Sequence, residues 1–324
     1  MIITRTPFRI SFAGGGSDLE AFHREEPGFV LSTAIDKYMF VAVKPHFGSS
    51  YRISYSRTEN VDSIDKIEHP IVRECLQMMG IERRLEIVSL ADLPAQSGMA
   101  SSSSFTVGLL HALHGFEGRV VSAGRLAREA CDLEIGRLHE PIGKQDQYIA
   151  AYGGFQFMQF RPDGEVFVDP VVCAPATREE LNRRLVLFFT GMSRPAGDVL
   201  RKQSANTESN RPALRRMCGI AHQLREVLTA GTDLNEFGRL LHQSWEAKCS
   251  LEATITNSRI DDYYQRGLKA GALGGKLLGA GNGGFLLFFC EPHRQARLRE
   301  ELQELEEAPF RFAAEGSKIV YVGD

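Results

Sequence analysis

The order and type of short periodic segments predict an α+β fold in two domains. Three observations carry this. Strand-type runs crowd the first ninety residues, helical runs crowd roughly 197–270, and two more strands follow. A break at Cys173-Ala174-Pro175-Ala176-Thr177 separates the halves. With 324 residues, 43% of them hydrophobic, the chain can bury two sizeable cores. Domains are therefore expected at 1–175 and 176–324.

Phe8–Phe12, Phe29–Ile35, Tyr38–Lys44, Tyr51–Tyr55 and Leu85–Leu90 are apolar or β-branched runs bounded by turn residues, and each predicts a strand. Helices are expected at 103–114, where an apolar run stops at Gly115, and at 122–139. Phe155–Phe160 and Glu165–Val168, joined by Arg161-Pro162-Asp163-Gly164, predict a β-hairpin. In the second half, strands are expected at Arg184–Phe189, Gly284–Cys290 and Lys318–Val322. Helices are expected near 197–208, 212–229, 233–250, 257–270 and 292–306, lying on one face of an antiparallel sheet. Trp245 should pack one of them.

A net charge of −3 gives no field to attract nucleic acid or an anionic membrane. No apolar stretch reaches about 18 residues, so no membrane span is expected. Six scattered cysteines without a C-x-x-C pair argue against a zinc site or disulfide framework. The start, Met1-Ile2-Ile3-Thr4-Arg5-Thr6-Pro7, lacks the apolar core of a secretory signal. These point to a cytoplasmic protein whose partners are small molecules, neither nucleic acid nor membrane; self-association stays open.

Four constellations carry chemistry. The first is Leu93 to Phe105, small residues and four consecutive serines leading into a buried helix. Unpaired N–H groups and the helix dipole make such a terminus an anion site, unless the loop is merely flexible with a serine cap. The second is Lys276 to Gly284. Gly279, Gly281 and Gly284 satisfy G-x-G-x-x-G, but a strand-like run, Phe285–Phe289, follows where a dinucleotide site needs a helix. Its five glycines between Gly274 and Gly283 suggest close approach to another segment, such as a phosphate loop. The third is Arg9 to Asp18. A strand carries Arg9 and Ser11 on one face, and a triple-glycine turn presents Ser17 and Asp18. Asp18 caps a helix at 19–24 or accepts sugar hydroxyls. The fourth is Glu134 to Asp146. A helical wheel sets Glu134 among Ala127, Ala130, Cys131 and Leu138, an inward position that calls for a cation or metal. Pro141 and Gly143 then break the helix ahead of Lys144 and Asp146.

Together these segments resemble the GHMP kinase superfamily. Pro7-x-Arg9…Asp18, then Pro94 to Ser102 (P-x-x-x-G-[LM]-x-S-S), then Gly279–Gly284, stand in that family's order, with Glu134…Asp146 between the second and third. Two departures are Gln96 and Ala100, each where many members have glycine. Within the family, Ala13-Gly14-Gly15-Gly16-Ser17-Asp18-Leu19 and Glu140-Pro141-Ile142-Gly143-Lys144-Gln145-Asp146-Gln147-Tyr148 are most similar to the branch acting on D-glycero-D-manno-heptose 7-phosphate. A fucose-activating branch has a similar opening, so L-fucose or another free sugar is an alternative acceptor, and a non-catalytic sugar sensor an alternative class.

The resemblance implies a ribosomal-protein-S5-like N-terminal domain, a ferredoxin-like C-terminal domain, and ATP with Mg²⁺ as cofactors. ATP would lie on Pro94, Ser97, Gly98, Met99, Ala100, Ser101, Ser102 and Ser103, faced by Gly279, Gly281 and Gly283. Ser102 and Glu134 would hold the metal. Asp146 would accept the proton of the anomeric hydroxyl, with Arg9 beside it. Gly16, Ser17 and Asp18 would bind the sugar. Lys144, Arg194 and, by chemistry alone, Lys37 are candidates for a substrate phosphate.

Overall fold

Alternating apolar residues in the first ninety positions build a sheet around a buried helix. The computed structural model describes residues 1–192 and 197–323. Strand β1 (Ile2–Ala13) leads through the short helix α1 (Glu20–His23) to β2 (Gly28–Pro45), and then come β3 (Tyr51–Ser54) and β4 (Thr58–Val61). Helix α2 (Pro70–Met79) precedes β5 (Leu85–Ala91). The order β1-β2-β5-β3-β4 is mixed, with β3 and β5 parallel.

Two predicted strands, 29–35 and 38–44, are one 18-residue strand, β2. Its register against β1 jumps from Pro7↔Tyr38 to Phe8↔Ile35, so Asp36 and Lys37 bulge out and interrupt the apolar pattern. A second shift leaves Phe12 unpaired between Ser11↔Ser32 and Ala13↔Leu31, which frees its carbonyl.

Helix α3 (Ser101–Phe116) buries almost every side beneath β1 and β2. Gly108 lets it dock: its carbonyl accepts Thr4 Oγ1 at 2.9 Å, and a Cβ there would lie 2.8 Å from Thr6 Oγ1. The helix expected over 122–139 is α4 (Ala123–Cys131), started by a Ser122 cap, and then a π-helical turn, Asp132–Arg137. That turn carries Glu134 inward; single π-turns recur at functional sites. Helix α5 (Gln145–Tyr152) follows, then the hairpin of β6 (Phe155–Phe160) and β7 (Val166–Pro170), which joins the sheet through the first half of β2.

After α6 (Pro175–Arg184) come β8 (Leu185–Phe189), α7 (Gly197–Ala205), α8 (Thr207–Ala230), α9 (Leu234–Cys249) and α10 (Ser258–Ala270). Strands β9 (Gly274–Leu277) and β10 (Phe285–Phe289), helix α11 (Gln295–Glu301) and the short β11 (Glu306–Glu307) complete an antiparallel sheet ordered β11-β8-β10-β9. Helices were expected on one face only, yet both faces are covered. Leu185, Leu187, Phe285, Leu287 and Phe289 share the core of the first sheet, whereas Val186, Phe188, Leu286 and Phe288 pack a second core with Trp245 and Tyr264. Double burial explains why these strands read as unbroken apolar runs.

Strand β12 (Lys318–Val322) was expected in the second half. It pairs instead with β1, Ile2 opposite Val322, so the chain returns to the first sheet. That edge of β1 would otherwise leave a row of open N–H and C=O groups. Among the described residues no helix is long and apolar enough to cross a membrane.

Candidate active site

A cavity of about 530 Å³ opens between the turn after β1, the serine loop, the start of α5, and the glycine segment before β10. All four constellations reach it.

In the serine loop, φ is positive at Gln96 (+57°), Gly98 (+79°) and Ala100 (+68°), every second residue. Left-handed residues at alternate positions are the backbone setting in which successive N–H groups can converge on an anion. Gln96, Gly98 and Ala100 line the cavity, while Ser97 and Met99 are fully buried. Ser97 Oγ donates to the Pro94 carbonyl at 2.7 Å, and Met99 O accepts the Arg9 N–H. Pro94, Ser97 and Met99 thus brace the loop through side chain or carbonyl. Both departures from glycine sit at left-handed positions, which costs roughly 1 kcal/mol each. Ala100 precedes α3 and supplies no side-chain cap; the first intrahelical bond runs from Ser104 N to Ala100 O. The N–H groups of Ser101, Ser102 and Ser103 therefore point at the cavity, which all three residues line.

The glycine segment closes against this loop backbone to backbone. A Cβ on Gly98 would lie 2.5 Å from Leu278 O, one on Gly279 would overlap Gly98 Cα, and one on Gly284 would overlap Ser97 O. Gly281 packs on the backbone of Ile255 and Gly283 on Met192. Gly279, Gly281 and Gly283 line the cavity, but close approach of chain to chain accounts for their lack of side chains.

Arg9 and Asp146 form a bidentate pair, Nε to Oδ1 and Nη2 to Oδ2, both 2.8 Å. Arg9 Nη1 donates to Gly98 O at 2.6 Å, tying the pair to the serine loop. Arg9 is 4% exposed, and both residues line the cavity.

Glu134 is fully buried, and its oxygens accept from Ser102 Oγ (2.7 Å), Ser103 Oγ (2.9 Å), Thr106 Oγ1 (3.1 Å) and Gln147 Nε2 (2.6 Å). Burial pushes its carboxyl above the ordinary range, opposed by these donors. All four are neutral. Among the described residues, no three His, Cys, Asp or Glu side chains cluster as a metal cage.

Asp18 lies on the cavity, its carboxyl raised by burial and, further down, by the neighbouring Asp146. Its oxygens accept from Gly16 N (2.8 Å) and Gln145 N (3.2 Å). It caps α5 rather than the helix at 19–24. Gly16 also lines the cavity. Ser17 does not: its hydroxyl donates to Gly14 O and accepts from Phe29 N, fully buried in the turn. Lys144 reaches the hairpin carbonyl of Gly164 instead of the cavity, and Lys37 is not on the cavity wall. Arg194 lies outside the described residues.

The cavity's lysines come from elsewhere. Lys248 Nζ bonds the carbonyls of Leu277 (3.3 Å) and Gly279. Lys276 Nζ bonds Phe12 O at 2.9 Å, the carbonyl freed by the β1 bulge. Both line the cavity, and their hydrogen bonds run to carbonyls. Burial draws the Lys248 ammonium down to about 8 and that of Lys276 well below its ordinary value. Sequence reasoning missed both. Lys248 shares a face of α9 with Leu241, Ser244 and Trp245, so the wheel that flagged Glu134 would have flagged it.

Sugar- and phosphate-handling enzymes of this build form one class, and two family profiles place the chain in it. GHMP kinases N terminal domain matches residues 68–154, and GHMP kinases C terminal matches 207–308. The chain belongs to the GHMP kinase family. It is 29% identical to the D-glycero-alpha-D-manno-heptose 7-phosphate kinase of Campylobacter jejuni, over 98% of each chain. It is 27% identical to the bifunctional fucokinase/GDP-fucose pyrophosphorylase of Arabidopsis thaliana, over 92% of this chain but 31% of that longer one. A crystal structure of a D-glycero-D-manno-heptose 1-phosphate kinase from Bacteroides thetaiotaomicron superposes over the whole of both chains with TM-score 0.83 and 25% identity.

Proposed function

We propose that this protein transfers the γ-phosphoryl group of ATP to the anomeric hydroxyl of D-glycero-D-manno-heptose 7-phosphate, giving the 1,7-bisphosphate for nucleotide-heptose synthesis. One observation carries the reading. The Arg9–Asp146 pair is hydrogen-bonded directly to the serine loop, so a phosphate nest and a proton acceptor share one reaction centre. The similarity to the Campylobacter enzyme supports the acceptor. So do Lys248 and Lys276, buried amines whose hydrogen bonds among the described residues run to carbonyls, and which an acceptor that is itself an anion would hold protonated. They take the place of Lys144 in this role. L-fucose is the second reading, favoured by the fucokinase relative. A retained acid–base pair argues against a non-catalytic sensor.

Phosphoryl transfer needs positioning and charge neutralisation above all. The N–H groups from Gln96 to Ser103 hold the β- and γ-phosphates, and Gly279–Gly283 walls the opposite side. As the acceptor oxygen bonds phosphorus and the bond to the ADP oxygen breaks, Asp146 takes the hydroxyl proton. A carboxylate accepts that proton late, once bond formation has acidified the oxygen. Arg9 stabilises the charge that develops on the transferring group. Ser102 Oγ and Glu134 would hold Mg²⁺: both are hard oxygen donors 2.7 Å apart, and among the described residues the carboxylate has four neutral donors and no ion pair. An ion held there would neutralise phosphate charge. Residues 1–175 supply the nest and proton acceptor in this scheme, and 176–317 the glycine wall and lysines. Six unpaired thiols fit a reducing compartment, and we place the enzyme in the cytoplasm.

The test is a panel. Purified protein with Mg-ATP is offered heptose 7-phosphate, mannose 6-phosphate, L-fucose, galactose and mevalonate. ADP release is measured, and phosphorus NMR locates the new phosphate. Transfer to C1 of the heptose phosphate is expected. A preference for L-fucose moves the substrate; no turnover with any acceptor removes the reading.

A further inference from the structure

The turn after β1 contains three consecutive glycines, and only two answer to the backbone. Gly14 has φ +89°, and a Cβ there would overlap the Phe29 carbonyl. Gly16 has φ +100°, and a Cβ would overlap the Gln203 amide. Gly15 is outside the left-handed region. The atoms nearest a Cβ there are Gln145 Nε2 at 3.3 Å and Ser11 Oγ at 3.8 Å, with no backbone within 4 Å. An alanine therefore asks only the tip of the Gln145 side chain to give way slightly, and the rest of what a methyl would remove is cavity.

Two side chains flank that space, Gln145 through its Nε2 and Ser11 through its Oγ. Ser11 Oγ and Gln145 Oε1 are buried without a hydrogen-bond partner among the described residues, and Ser11 is only 6% exposed. Both line the cavity. An unpaired buried polar atom is costly, so native proteins keep few of them. A ligand hydroxyl in that space accepts from Gln145 Nε2, the amide atom that faces it, and donates to Ser11 Oγ. Ser11 stands two residues from Arg9 on the same strand face, a rise of about 6.6 Å. That spans one sugar ring, from a reacting hydroxyl at Asp146 to a ring hydroxyl at Ser11.

We propose that Ser11 and Gln145 clamp one ring hydroxyl of the acceptor across the space left by Gly15, and that these three residues select a polyhydroxylated ring over a linear alcohol. The proposal rests on the kinase reading above and supplies its acceptor subsite. Ser11 contributes nothing to the nucleotide nest, and its replacement by alanine removes a buried hydroxyl that lacks a partner in the free protein.

Ser11→Ala and Gly15→Ala test it, by steady-state kinetics on whichever ring sugar the wild type phosphorylates best and by thermal melting. Both variants are expected to raise the acceptor KM about tenfold, which corresponds to about 1.4 kcal/mol of binding. The KM for ATP should stay within twofold, and the Ser11→Ala melting temperature should equal or exceed wild type. A merely structural role would lower the melting temperature and leave the acceptor KM alone. Either that result, or a parallel rise in both KM values, overturns the proposal while the kinase reading stands. A wild type that best phosphorylates mevalonate also overturns it. A wild type that releases ADP with no acceptor removes the kinase reading itself.

Discussion

Replacing Asp146 by asparagine separates proton acceptance from geometry. The amide keeps the size of the carboxyl and one oxygen for Arg9, so the guanidinium retains that contact and its 2.6 Å bond to Gly98 O. What disappears is one charge-assisted bond and the ability to take a proton. Charge-assisted hydrogen bonds contribute about 1.5–3 kcal/mol. The Asp146 side chain is 24% exposed, so the stability cost should fall toward the lower end. For a chain of this size, about 1.5 kcal/mol lowers Tm by only about 2 °C. Loss of a general base typically lowers kcat about 10²–10⁴-fold, or roughly 3–5 kcal/mol of barrier. The KM for ATP should change less than threefold, because the nest is made of backbone N–H groups. Coupled ADP-release kinetics with circular-dichroism melting reads all three quantities. Near-normal kcat in a folded variant would refute the role of Asp146. A large rise in KM for ATP at unchanged kcat would instead make the pair a nucleotide-positioning device.

Gly279→Ala forces a Cβ into Gly98 Cα at φ +73°, and should destabilise by about 2 kcal/mol or more in urea titrations and weaken ATP binding together. Glu134→Gln should stay folded but raise the Mg²⁺ needed for half-maximal rate about tenfold or more, read by metal titration at saturating acceptor. Lys248 provides a pH test. Its folded pKa, about 8, lies below the ordinary 10.5, so the unfolded chain binds more protons between those values. Unfolding free energy should therefore gain up to roughly 3 kcal/mol from this group as pH rises from about 8 to 10.5. Lys248→Met should remove that rise; an unchanged profile in urea melts would refute the assignment.

Part of the candidate site was legible from local chemistry. Glu134 and Ser102 announce themselves because a carboxylate on an apolar helix face and a serine run before a buried helix have few uses, whereas Arg9 and Asp146 drew their roles from the family resemblance. The hidden parts share a cause: their meaning lies in a partner far along the chain. Ser17 reads as a ligand residue until Phe29 N appears beside its hydroxyl. Lys144 reads as a phosphate holder until the hairpin offers Gly164 O. Lys276 is one lysine among glycines until the β1 bulge frees Phe12 O. The fold followed the same rule. Periodicity located most strands, but the merging of 29–35 with 38–44 and the return of β12 to β1 depend on pairing across the sheet. Helix α2 was missed although Pro70 and the left-handed Gly80 mark its ends and Ile71, Val72, Cys75 and Leu76 its buried stripe.

The embedding of β8 and β10 on both sides restricts how the enzyme can breathe. Leu187, Leu287 and Phe289 are shared with the first sheet, and the glycine contact at Gly98 and Gly279 has no spare space. A hinge that swung one half away from the other would have to tear a continuous hydrocarbon interior. Without such a swing, the arrival of ligands should bury little new apolar area. Calorimetry should accordingly find only a small negative heat-capacity change on nucleotide binding, in contrast to enzymes that clap shut around their cargo.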